Sequence, residues 1–152
     1  MSDMEEFELW KGKNLSGIFK DIYANQREIQ SKVTLLIDML RPLINNSGDA
    51  VMLVPLIKEY LDVGVKNDAH LVKLAAIAQR LYSAEQSADG GGSAGGLLSE
   101  EEKKQLLANV GAEVKQITGE QSDSSKKLTD GMTQVKQLVE QEDELLDSDD
   151  DD

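Results

Sequence analysis

Apolar positions recur along the first third of the chain at alternating steps of four and three. Leu15, Phe19, Ile22, Gln26, Ile29, Val33, Leu36, Leu40 and Leu43 follow that rhythm, and eight of the nine are apolar. A seven-residue repeat held over about four heptads predicts one long helix with a coiled-coil seam. Running from Leu15 to Ile44, it would be roughly 45 Å long. Pro42 falls in its last turn, where the missing N–H and the ring kink or end a helix. Asn45, Asn46, Ser47 and Gly48 then supply a loop. Ile18, Ile37, Met39 and Ile44 flank the seam where a two-stranded coil ordinarily carries charges, so the apolar face is wider than one partner helix covers. Gln26 is the one polar seam residue; it either fixes register between chains or sits at the solvent edge.

Past the loop the pattern predicts a helix from Ala50 to Val63, with Leu53, Ile57, Tyr60 and Leu61 on one side. Asp49 is its expected N-cap, because a carboxylate there accepts from the first-turn amides. Pro55 shifts the expected start toward the Val54–Pro55 step, and Gly64 is the expected end. Asn67 or Asp68 would cap a third helix, from Ala69 to about Tyr82, with the stripe Leu71, Leu74, Ala75, Ala78, Leu81 and Tyr82. Its small residues Ala75, Ala76 and Ala78 allow close helix approach.

Residues 15–82 thus read as a helical hairpin core behind an N-terminal arm of residues 1–14. Glycine and serine dominate much of residues 83–98, a composition that predicts a flexible linker. Beyond it, amphipathic helices are expected over 99–139. Ser99 and Glu102 form a capping box before Leu106, Leu107, Val110, Val114 and Ile117, and Gly119 closes that piece. After the polar stretch 120–125, Leu128, Met132, Val135, Val139 and Leu146 give a thinner stripe leading into an acidic tail over 140–152. The expected fold class is all-α: a long coiled-coil-like hairpin that forms an oligomer, with a flexible helical C-terminal segment.

The oligomer follows from size. A hairpin of about 68 residues rarely draws more than 3–5 kcal/mol from one apolar core, and without disulfide or metal self-association is the simplest remedy. Leu15, Phe19, Ile22, Gln26, Ile29, Val33, Leu36 and Leu40 are the expected oligomerisation seam, with Leu71, Leu74, Ala78 and Leu81 behind them.

Composition narrows the chemistry. The 152 residues contain no cysteine and one histidine, His70. That removes thiolate chemistry, disulfides, cysteine zinc sites and any two-histidine metal site. No glycine-rich loop precedes a lysine and a hydroxyl residue, so no phosphate cradle is expected. The carboxylates fall on solvated faces or in the tail, where nothing tunes them for proton transfer. His70, in the first turn of its expected helix, reads as a surface or capping residue. No enzyme, cofactor or bound metal is expected. The net charge is −13, but nine acids and no base lie between Glu140 and Asp152, leaving about −4 on the other 139 residues. Such a tail either solubilises the chain or docks on a basic partner. No signal peptide or membrane-length apolar run is seen, which predicts a cytoplasmic protein with no membrane partner.

Lys20, Arg27 and Arg41 share one heptad phase and form a basic row, the candidate contact for nucleic-acid phosphates; an ordinary solvated face is the alternative. Affinity for phosphates grows with the number neutralised, so a ring of chains would repeat the row many times. Phe7, Leu9 and Trp10 form an aromatic arm that folds back on its own hairpin or docks on a neighbour.

The run from Pro55 to Leu81, PLIKEYLDVGVKNDAHLVKLAAIAQRL, resembles the oligomerising core of terminase small subunits from contractile-tailed bacteriophages, with the Ile18–Ile44 helix as the other arm. The resemblance covers roughly residues 15–82. It implies a homo-oligomeric ring in the host cytoplasm that engages viral double-stranded DNA at the start of packaging and regulates the ATPase and nuclease of the terminase large subunit. The tail beyond the glycines would be the place to meet that subunit. Many members carry a helix-turn-helix before the core, whereas about 14 residues precede the long helix here. DNA contact would then come from the ring or its arms. The main alternative is a coiled-coil scaffold or adaptor in virion assembly that binds no DNA. A mediator of single-stranded DNA recombination fits less well, because base-stacking aromatics are scarce.

Overall fold

The structure, a computed structural model, describes residues 8–10, 12–89 and 99–148. It is dominated by three helices, α1 (Leu15–Leu40), α2 (Ser47–Asp89) and α3 (Glu100–Ser148), as the all-α expectation requires. A short antiparallel hairpin precedes them, β1 (Glu8–Trp10) with β2 (Lys13–Asn14). Gly12 turns it at φ 80°, a conformation that favours glycine, and its amide donates to Glu8 Oε1 at 2.5 Å. Phe7 lies outside the described residues.

Each helix starts on a side-chain cap. Asn14 Oδ1 accepts from Gly17 N at 2.8 Å, satisfying a first-turn amide of α1. Asn46 Oδ1 does the same for Asp49 N at 2.9 Å. Asp49 is therefore not the cap of α2; its carboxylate reaches back to the amide of Asn45 at 3.1 Å. The predicted box at α3 forms both ways, Glu102 N to Ser99 Oγ at 3.2 Å and Ser99 N to Glu102 Oε2 at 2.8 Å. Pro42 ends α1, and a single 3₁₀ turn over Arg41–Leu43 follows.

Three expected breaks do not occur. α2 runs through Pro55 and Gly64, and α3 runs through Gly119 and the polar stretch behind it. Pro55 sits on an exposed side of α2, where water can reach the carbonyl one turn back that loses its donor. Gly64 lies against α1: a Cβ there would stand 3.5 Å from Gln30 Oε1 and 3.6 Å from Val33 Cγ1. Tertiary packing on such a face outweighs the roughly 1 kcal/mol helix penalty of glycine. Residues 83–89 of the expected linker are the last turns of α2, and residues 90–98 lie outside the described residues. The acids from Glu140 onward continue α3 as far as Ser148.

Two compact units divide the chain, one of Met1–Gln26 with Asp68–Gln121, the other of Arg27–Asn67 with Ser122–Asp152. Each takes a stretch of all three helices. In the first, Leu15, Ile18 and Ile22 of α1 pack with Ile77 and Leu81 of α2 and with Leu107, Val110, Val114 and Ile117 of α3. The pairs Arg80–Glu113 and His70–Glu120 show α2 and α3 antiparallel there. In the second, Ile29, Val33, Leu36 and Leu40 pack with Tyr60 and Val63 and with Leu128 and Val135. Lys127–Glu59 at 2.6 Å ties α3 to α2 on its rim. Burying side chains of this size stabilises by about 1.5–3 kcal/mol each. The hairpin of residues 15–82 is thus only part of each core, and α3 supplies the rest.

Candidate functional site

The seam expected to bind other copies lies inside the chain. Leu15, Ile22, Ile29, Val33, Leu36 and Leu40 are 2% exposed or less, Gln26 is buried and Phe19 is half-buried. The excess width of the α1 ridge is met by α2 and α3 of the same chain, which bury these residues in the two cores. Behind them, Leu81 is buried and Leu71 and Leu74 are half-buried, but Ala78 is exposed. The inward stripe of α2 is instead Tyr60, Val63, Asn67, His70, Leu74, Ile77 and Leu81. Because α2 does not restart near Ala69, the phase set by Tyr60 and Val63 carries onward and turns Ile77 inward and Ala78 out.

This phase also buries polar residues in the first unit. His70, read from sequence as a surface residue, is 1% exposed. Its Nε2 donates to Glu120 Oε2 at 2.6 Å, and Gln116 Nε2 donates to Glu120 Oε1 at 3.2 Å. Gln121 Nε2 donates to the Ile22 carbonyl at 3.0 Å, and Gln26 Nε2 to Asp68 Oδ1 at 2.9 Å. Gln26 therefore takes its partner within its own chain. Nδ1 of His70 and Oε1 of Gln121 have no hydrogen-bond partner among the described residues. The ring is enclosed between α2 and α3, and these bonds order helices against one another. A shifted helix would leave these groups buried and unpaired, at about 1–3 kcal/mol for each.

The basic row is exposed at all three positions, Lys20, Arg27 and Arg41. None of the three makes an ion pair among the described residues, whereas Lys13, Lys32, Arg80 and Lys127 do. Unpaired, exposed side chains of this kind are available to an anionic partner. An open hollow of about 400 Å³ beside the N-terminal hairpin is lined by Glu8, Gly12, Lys13, Asn14, Gly17 and Asp21. Its one described lysine is paired with Asp21 at 2.6 Å, and it lacks the apolar walls of a small-molecule site. Among the described residues, no group of three or more acidic or histidine side chains is placed to hold a metal ion, and no helix is long and apolar enough to cross a membrane.

One surface escaped the sequence reading. Val51, Val54, Leu61, Val65 and Val72 lie on α2 away from the core stripe and are 51–75% exposed. Their spacing is heptadic, and the signal is present in the sequence; a helix broken at Gly64 divides it into fragments too short to notice.

Compared with protein-family models, curated proteins and solved structures, the chain finds no match.

Proposed function

We propose that this protein is a non-enzymatic, self-associating viral DNA-packaging factor of the terminase-small-subunit kind. It engages viral duplex DNA, regulates the ATPase and nuclease of a large subunit, and does so as a ring. The observation supporting DNA engagement is the set of exposed cations Lys20, Arg27 and Arg41, unpaired among the described residues, in a chain of net charge −13. Since the α1 seam is occupied internally, self-association must use another face. The acidic end of the chain, which cannot approach phosphate, is the segment suited to a basic surface on the large subunit.

The test is stimulation of the ATPase of the large terminase encoded in the same genome, with duplex DNA binding measured across a salt series. Stimulation and a steep salt slope are expected. Replacing Lys20, Arg27 and Arg41 by glutamine should flatten the slope by up to about 3 per chain, at roughly 0.9 for each phosphate no longer neutralised. No binding at low salt and no stimulation would leave the second reading, a coiled-coil scaffold or adaptor in virion assembly. That reading is favoured by the exposed apolar row on α2.

A further inference from the structure

Scattered exposed apolar residues are ordinary; a heptad row of them is the signature of a helix partner. On the outer side of α2 the row is Val51, Val54, Leu61, Val65 and Val72, each more than half exposed, continued by exposed Ala75. The only charged residues at seam positions within it are Lys58 and Asp68, one of each sign. Lys58 has no ion-pair partner among the described residues, and Asp68 uses Oδ1 toward Gln26 while staying exposed.

We infer that this face of α2 seats the same face of a second copy of the chain, antiparallel and centred on position 63. In that register Leu61 faces Val65 of the second copy, Val54 faces Val72, and Val51 faces Ala75. Lys58 faces Asp68, and the twofold axis repeats every pair. The charges select the alignment. A parallel pairing sets Lys58 against Lys58 and Asp68 against Asp68. An antiparallel pairing slipped by one heptad either way sets both charges against apolar side chains, desolvating each without a partner. The one like-charge approach in the chosen register, Asp62 toward its own image, lies on the exposed flank with Lys66 one turn away. Such a seam gives a closed dimer. It does not depend on the packaging role, and a ring would need a second, head-to-tail contact in addition.

The absence of native cysteine makes the register directly testable. Full-length K58C and D68C chains are mixed and oxidised. The K58C–D68C heterodisulfide should dominate, because in this register like positions are displaced by roughly 15 Å along the seam, beyond disulfide reach. Sedimentation of the wild-type chain at tens of micromolar should give a dimer or a multiple of one. L61E/V65E, with helicity checked by circular dichroism, should halve that mass. A monomeric wild type, or homodisulfides equal to the mixed product, overturns the inference. A larger assembly untouched by L61E/V65E also overturns it, while leaving self-association by another face intact.

Discussion

At the scale of single residues, two glycines in one helix have opposite meanings. A Cβ on Gly131 would collide with the hydroxyl of buried Tyr60 and come within 2.9 Å of its ring carbon Cζ, whereas one on Gly119 would meet nothing within 4 Å. G131A should therefore cost about 1–3 kcal/mol by overpacking, with part recovered in G131A/Y60F. G119A should gain roughly 0.5–1 kcal/mol from helix propensity alone. Urea denaturation of these variants beside the wild type reads both effects. Tyr60 also carries a pH dependence. Burial first, then the Glu59 carboxylate, raise its phenol above the ordinary value of 10.0, against the pull of Lys127. The fold thus favours the neutral phenol. Its contribution is intact below that unfolded value and is lost as pH climbs through the raised folded one. Thermal melts of the wild type should fall from about pH 10 upward more steeply than those of Y60F.

At the scale of elements, a two-sided capping box is easier to read than a stop marked by glycine alone. Ser99 and Glu102 announce α3 because capping is a short-range bond between neighbours in sequence. S99A should cost about 1 kcal/mol and N46A a similar amount, both seen as a lower melting temperature with unchanged helicity in the folded baseline. The ends expected at Gly64 and Gly119 fail for a different reason. Glycine weakens a helix by a fixed small amount, and whether that amount ends the helix depends on what its neighbours bury. Gly64 is held against Val33. Gly119 lies between Ile117 and Gln121, both buried.

At the scale of the whole molecule, α3 separates this chain from a hairpin with an appendage. It gives Leu107, Val110, Val114 and Ile117 to one core and Leu128 and Val135 to the other. A chain ending at residue 98 should lose cooperative unfolding, expose its α1 ridge, and bind a hydrophobic dye or aggregate. A sharp two-state melt of that truncated chain would contradict the sharing of both cores by α3. The same geometry redirects the question of self-association from the α1 seam, which has partners at home, to the α2 face, which stays open to solvent in the single chain.

The heptad rhythm of α1, the capping box at Ser99, the stop at Pro42 and the class of an all-helical protein were all determined by sequence, because each rests on interactions within a few residues. The outward turn of Ala78, the burial of His70 and Gln121, and the internal use of the α1 seam were decided only by tertiary structure. These depend on which helix covers which face. A wide apolar ridge reports how much burial a helix requires but not whether the covering helix comes from another copy or from the same chain a hundred residues later. In this protein α3 settles that, and with it the phase of every polar side chain that the cores enclose.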